Sequence, residues 1–235
     1  DLTELATRTA GTITIDSSSV IQGGFTADSA ALVAVLESAT ITGITSVVST
    51  DGTNTVEEVN TITEASTSTE VITATLTNES FTTDDGAGND LSNLTGTGNA
   101  LTITVSDASV DAAALNTLNA KTTVAITVDS TTVTGALADI ATLYESIAAA
   151  TTTGLGNEAI TVSDTGSVSA ATLNELNRLT TGVITITGAT TVTGTLSEIT
   201  TAYDSNTAGT IDGLGDEAIS VTEGNSLTAA NLATL

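Results

Sequence analysis

The sequence predicts an α/β solenoid, a stack of strand–helix repeats whose strands form a parallel sheet. Three observations predict it. Segments recur at a nearly constant spacing, each repeat alternates between a strand-like and a helix-like pattern, and β-branched residues far outnumber aromatic ones. Repeats this short bury their apolar faces by stacking on one another. A parallel β-helix, in which the helix-like segments would be turns and strands, is the alternative.

The repeat is clearest in the second half of the chain. Residues 103–107, with the sequence Ile-Thr-Val-Ser-Asp, recur at 160–164. Residues 154–160 (Gly-Leu-Gly-Asn-Glu-Ala-Ile) recur at 213–219 as Gly-Leu-Gly-Asp-Glu-Ala-Ile. The spacing grows from 57 to 59 residues, which single insertions in loops explain. We therefore predict repeats at 101–159 and 160–218, with 219–235 starting a further one.

Each repeat contains two strand–helix pairs. The first copy predicts strands near 103–105 and 125–128 and helices over 113–118 and 137–149, the last starting at a cap supplied by Thr134 or Gly135. Alternation along the strands predicts which side chains form the core. We expect these to point inward: Ile103, Val105, Ile126, Val128, Ile160, Val162, Ile184 and Ile186. We expect these to form outward threonine rows: Thr104, Thr127, Thr161 and Thr185.

The first hundred residues carry a diverged version of the repeat. Leu2-x-x-Leu5 followed by residues 11–15 matches Leu173-x-x-Leu176 followed by 182–186, at a constant offset of 171. We divide this part into a partial repeat at 1–43 and a diverged repeat with a loop insertion at 44–100. The same Leu-x-x-Leu pattern closes the chain at 232–235. It predicts either docking of copies head to tail or adjoining repeats of a longer chain.

Composition excludes several classes of function. There are 28 acidic residues against 3 basic ones, for a net charge of −25, so nucleic acid is an unsuitable partner. His and Cys are absent, which excludes Ser-His and Cys-His nucleophile systems. A carboxylate-based glycosidase remains conceivable, but the chain has four aromatic residues, two Phe and two Tyr, to line a sugar cleft. No apolar run reaches the length of a membrane span. We expect no enzyme and no membrane span.

Only oxygen ligands are available for a metal, which favours Ca²⁺. The best candidate is Asp84, Asp85, Asn89 and Asp90, an imperfect single unit of the Gly-rich calcium nonapeptide. The alternative interpretation is a polar turn rich in Gly, Asn and Asp. A second cluster, Asp212, Asp216 and Glu217, is interpreted as a solvated loop. No other cofactor is expected.

Three segments carry a resemblance to a known group of proteins: the Ile-Thr-Val-Ser-Asp strands, the Val-Thr-Gly-x-Leu junctions at 133–137 and 192–196, and the Gly-Leu-Gly-(Asn/Asp)-Glu-Ala loops. They resemble the Thr/Ala/Gly/Asp-rich repeats of giant cell-surface or type I-secreted proteins of marine cyanobacteria and other Gram-negative bacteria. The resemblance implies an extracellular structural role in a fibre, matrix or adhesin stalk. A calcium-dependent, ice-binding or glycan-binding surface module is the alternative function, the outward threonine rows being the feature that ice binding would use.

Overall fold

A computed structural model describes residues 2–67, 69–76, 80–81 and 90–222 of the chain. Helices and short strands alternate along it, and every strand pairing is parallel. The helices are α1 (Leu2–Arg8), α2 (Ser29–Leu36), α3 (Val56–Ala65), α4 (Ala112–Asn119), α5 (Leu137–Ala148), α6 (Ala170–Leu179) and α7 (Leu196–Ala208). The α/β class with parallel sheets is confirmed.

The strands are short, from two to five residues. They are β1 (Ile13–Thr14), β2 (Ile21–Gly23), β3 (Ile41–Thr42), β4 (Ser46–Ser49), β5 (Val71–Thr75), β6 (Ala100–Thr102), β7 (Thr104–Val105), β8 (Ser109–Asp111), β9 (Ile126–Val128), β10 (Thr132–Gly135), β11 (Thr152–Thr153), β12 (Ala159–Val162), β13 (Ser167–Ser169), β14 (Ile184–Ile186), β15 (Thr191–Gly194), β16 (Ile211–Asp212) and β17 (Ala218–Val221).

The chain divides into two compact units. The first contains residues 1–107 and 117–127, and the second contains residues 108–116 and 128–235. In the first, β1 pairs with β3, and a second sheet has the order β2-β4-β5-β6. In the second, one sheet has the order β8-β10-β12-β14-β16 and another β13-β15-β17.

The register of the large sheet carries the repeat. Val133 pairs with Ile160, Ile160 with Ile184, and Ile184 with Ile211. Successive partners are therefore 27, 24 and 27 residues apart, which is room for one helix and its connections. All eight residues expected to point inward are buried, at 5% exposure or less, as the alternation predicts.

The helices pack in sequence against one another and onto the strands. Within the first unit α1 contacts α2 and α2 contacts α3; within the second α5 contacts α6 and α6 contacts α7. Leucines at the predicted Leu-x-x-Leu positions of α6, Leu173 and Leu176, are 0% and 2% exposed. These segments are helical, so the structure differs from the all-strand alternative.

Two details of the predicted repeat are wrong. A short strand that we did not predict precedes four of the helices: β8 before α4, β10 before α5, β13 before α6 and β15 before α7. Because Thr134 and Gly135 belong to β10, the N-cap position of α5 falls instead on Ala136, whose side chain accepts no hydrogen bond. The repeat unit in the second half is therefore strand–strand–helix.

Candidate interaction surfaces and calcium site

The predicted calcium site lies largely outside the described residues, which include Asp90 but not Asp84, Asp85 or Asn89. Asp90 is 7% exposed and precedes a short 3-10 turn, Leu91–Asn93. Its backbone carbonyl accepts a hydrogen bond from the Asn93 N–H at 2.9 Å. Elsewhere in the described ranges no three acidic, His or Cys side chains come together as a metal site would require. Calcium binding at 84–90 stays a prediction.

The second acidic cluster is organised around Glu217. Its carboxylate accepts a hydrogen bond from the Gly215 N–H at 2.8 Å and another from the Tyr203 hydroxyl at 3.0 Å. Burial raises the pKa of Tyr203 to about 12, and the hydrogen bond to Glu217 and the charges of Glu217 and Asp216 act in the same direction. Glu217 therefore fastens the loop after β16 to helix α7.

The equivalent glutamate of the preceding repeat, Glu158, does the same for its own loop. It is 3% exposed, and its carboxylate accepts hydrogen bonds from the Gly156 N–H at 2.7 Å and the Asn157 N–H at 3.0 Å. Sequence reasoning did not assign a role to Glu158. Its recurrence as Glu217 in the Gly-Leu-Gly-x-Glu segment is the pattern that indicates one.

Acidic side chains elsewhere are used in the same way. Carboxylates hold the N-terminal turns of helices and the tight loops by accepting backbone N–H groups, which a helix start leaves without partners. Those that do so are Asp28, Asp51, Glu58, Asp107, Asp111, Asp164 and Glu198. Much of the negative charge is thereby engaged in holding the fold.

One short threonine row lies across the large sheet of the second unit. Thr134 is in register with Thr161, and Thr161 with Thr185; Asp111 and Asp212 follow at its two ends. The three threonines are half-buried, and the Thr134 hydroxyl donates to the Val110 carbonyl at 3.3 Å. The row therefore combines the predicted Thr161 and Thr185 with Thr134, which we did not predict.

A groove of about 470 Å³ runs between α5 and α6. From α5 it is lined by Ala141, Tyr144, Glu145 and Ala148, and from α6 chiefly by Ala171, Leu176, Arg178 and Leu179. Small alanines on both helices allow them to approach closely. In this groove α6 covers the outer face of α5, and Tyr144 is 3% exposed.

The same face of the next repeat is open among the described residues. Helix α7 presents Thr200, Tyr203, Asp204 and Thr207, each 59 positions after its counterpart on α5, and they line a hollow of about 550 Å³. The hollow also contains Ile219 of β17, which is 39% exposed. Its counterpart Ile160 is fully buried.

Comparisons with known proteins leave the geometry as the main guide to function. No protein-family model, curated protein or solved structure matches the chain. Within the described part of the chain, none of the helices is long and apolar enough to span a membrane.

Proposed function

We propose that this protein is a non-enzymatic structural repeat protein of an extracellular fibre, matrix or adhesin stalk, built as an α/β solenoid. The observation that carries the proposal is the register of the large sheet, in which each strand pairs with one that follows 24 or 27 residues later. One helix lies in each such interval. Repetition of this step adds strand to strand and helix to helix along a single direction.

Contacts between neighbouring helices support the stacking. The side-chain amide of Asn116 on α4 donates to the Asp139 carbonyl on α5 at 2.9 Å. Fifty-eight residues later, Asn174 on α6 donates to the Glu198 carbonyl on α7 at 2.8 Å. A contact that recurs with the sequence period is the behaviour of repeats that interact with their nearest neighbours.

Charge and composition support a structural role rather than a catalytic one. The net charge of −25 keeps a long assembly soluble and hydrated. Carboxylates such as Asp164, Glu158 and Glu217 bind backbone N–H groups of this chain. The resemblance of the repeat segments to giant cell-surface proteins supports the extracellular location.

Excision of one complete repeat tests the solenoid. Deletion of residues 160–218 joins Ala159 to Ile219, which is the same junction as Ala159 to Ile160 in the parent chain. We expect the shortened protein to keep its far-UV circular dichroism per residue and a cooperative urea transition. Deletion of residues 160–200, which joins β12 to the middle of α7, is the matched control and should unfold. Loss of structure in both deletions would contradict the proposal.

Surface labelling tests the location. Antibodies raised against the purified protein should label intact source cells, and mild external protease should remove that label without lysis. Label that appears only after the cells are permeabilised would contradict an extracellular role.

A further inference from the structure

We propose that the partner of this protein is a second copy of itself, which docks head to tail. The head surface is α1 together with β1, and the tail surface is α7 together with β17. This inference rests on the proposed fibre function and names the contact that would build the fibre. It follows from a comparison of each surface with its equivalent inside the chain.

The backbone of β17 repeats that of β12 on one side. The Ala218 N–H donates to the Thr190 carbonyl at 2.9 Å, as the Ala159 N–H donates to the Thr131 carbonyl at 3.0 Å. On its other side β12 pairs with β14, where the Ile160 N–H donates to the Val183 carbonyl at 2.9 Å. Among the described residues β17 pairs with β15 alone and forms the edge of its sheet. An edge strand of this kind is a template for a further parallel strand.

Strand β1 has the sequence and the hydrogen bonding of β14, the strand that β17 would need. Residues 11–15 match 182–186 at an offset of 171. The Ile13 N–H donates to the Thr40 carbonyl at 2.7 Å, as the Ile184 N–H donates to the Thr210 carbonyl at 3.0 Å. The side of β1 that corresponds to the β12 side of β14 is therefore the one that would meet the tail. The equivalent bond is from the Ile219 N–H to the Thr12 carbonyl of the second copy.

Apolar exposure marks the same two surfaces. Leu5 of α1 is 48% exposed, whereas its equivalent Leu176 is 2% exposed in the chain. Ile219 is 39% exposed, whereas its equivalent Ile160 is fully buried. In the interior, α5 and α6 pack together and β14 pairs with β12. Docking of the head on the tail would bury Leu5 and Ile219 in the same way.

Charge complementarity favours this orientation. Arg178 of α6 and Glu145 of α5 line one groove. The equivalent of Glu145 on the tail is Asp204, and the head carries Arg8, one of three basic residues in the chain. Arg8 already pairs with Glu4 on α1, as Arg178 pairs with Glu175 on α6. A second copy would thus bring scarce positive charge to an acidic tail.

The contact is heterologous, so that each docked copy presents a free tail to the next. Such contacts give open filaments unless the rotation between copies closes a ring. Two single substitutions test it: Leu5→Glu on the head and Ile219→Glu on the tail. Val71→Glu is the matched control, because Val71 has the same 39% exposure as Ile219 but lies on neither surface.

Sedimentation velocity gives the readout, with circular dichroism to verify that each variant is folded. The parent and the Val71 control should form species well above the 23.2 kDa monomer. Leu5→Glu and Ile219→Glu should each remain monomeric alone. Equimolar mixing should then produce dimers and no larger species, since one intact head still meets one intact tail. Equal association of all four proteins, or a monomeric parent, would overturn the proposal.

Cysteine pairing tests the register, and the absence of native cysteine makes it clean. Thr161 pairs with Thr185, which predicts that Ser220 faces Thr14 of the second copy at a spacing suited to a disulfide. Mixed Thr14→Cys and Ser220→Cys proteins should form a heterodimer under mild oxidation, whereas Ser163→Cys, on an exposed loop, should not replace Ser220→Cys. Equal yields of all pairings would overturn the proposed contact. The excision of residues 160–218 tests the solenoid separately, so that failure of docking and failure of the proposed fold are distinguishable.

Discussion

The carboxylate of Asp164 accepts a hydrogen bond from the backbone N–H of Leu137 at 2.7 Å. Leu137 is the first residue of α5, whose own N-cap, Ala136, has no side-chain acceptor. The cap is therefore supplied by a residue 27 positions later, beyond β12. One strand thus stabilises the start of a helix that precedes it in the chain.

Removal of this distant cap should destabilise the protein. We predict that Asp164→Ala lowers the free energy of unfolding by about 1 kcal/mol, because the Leu137 N–H loses its acceptor. Urea unfolding followed by circular dichroism measures the loss. In α7 the equivalent positions Thr195 and Glu198 form a capping box, so Ala136→Thr with Asp139→Glu should restore stability to Asp164→Ala. Absence of rescue would contradict the capping role.

Two glycines should resist substitution. Gly154 has φ of +93° and Gly213 has φ of +92°, and a Cβ on either would lie 2.3 or 2.2 Å from the carbonyl oxygen of Val128 or Ile186. Gly154→Ala and Gly213→Ala should each cost more than about 2 kcal/mol of unfolding free energy, from strain and steric clash. Gly166→Ala, which meets open space, is the control. Similar stability of all three variants would count against the described turns.

The Tyr203–Glu217 hydrogen bond predicts a loss of stability at high pH. The pKa of Tyr203 is raised from 10.0 to about 12 in the folded chain. Its contribution is thus complete below pH 10 and is lost as pH rises from 10 through about 12. Tyrosinate absorbance of the Tyr144→Phe variant, which leaves Tyr203 as the one tyrosine, should give the raised value. Glu217→Gln should lower it, although burial keeps it above 10.0; titration near 10.0 in both would refute the assignment.

The cross-helix asparagines should contribute equally. Asn116→Ala and Asn174→Ala each remove one bond to a carbonyl of the following helix, at 2.9 and 2.8 Å. We expect each to cost about 1 kcal/mol and the double variant to cost their sum. Asn177, whose amide reaches the Ser205 hydroxyl at 3.4 Å, is a weaker contact and Asn177→Ala is the control. Urea midpoints measure all four variants.

Periodic apolar pattern was sufficient to predict the core. Ile160 and Ile184 alternate with threonine on short strands, and Leu173 and Leu176 have helical spacing, so that burial follows from local sequence. The recurrence of the segments also predicted which strands and helices are equivalent. These features are encoded within a few residues of one another.

Short strands and long-range polar contacts were not predictable in that way. Residues 167–169, Ser-Val-Ser, contain a single apolar side chain and resemble a turn, and they are extended because they pair with β15. The cap from Asp164 to Leu137 links positions 27 residues apart, which local spacing does not reveal. The role of Glu158 in its loop depends likewise on burial that follows from the neighbouring strands.

Electron microscopy of the purified protein at high concentration, with Ca²⁺ and with EDTA, tests the proposed solenoid fibre most directly. The account predicts filaments whose averaged images show a spacing of about 4.8 Å along the filament axis, because the strands stack in that direction. Loss of filaments in EDTA would add calcium to the contact. Separate particles in both conditions, or strands that run along the axis, would contradict the account.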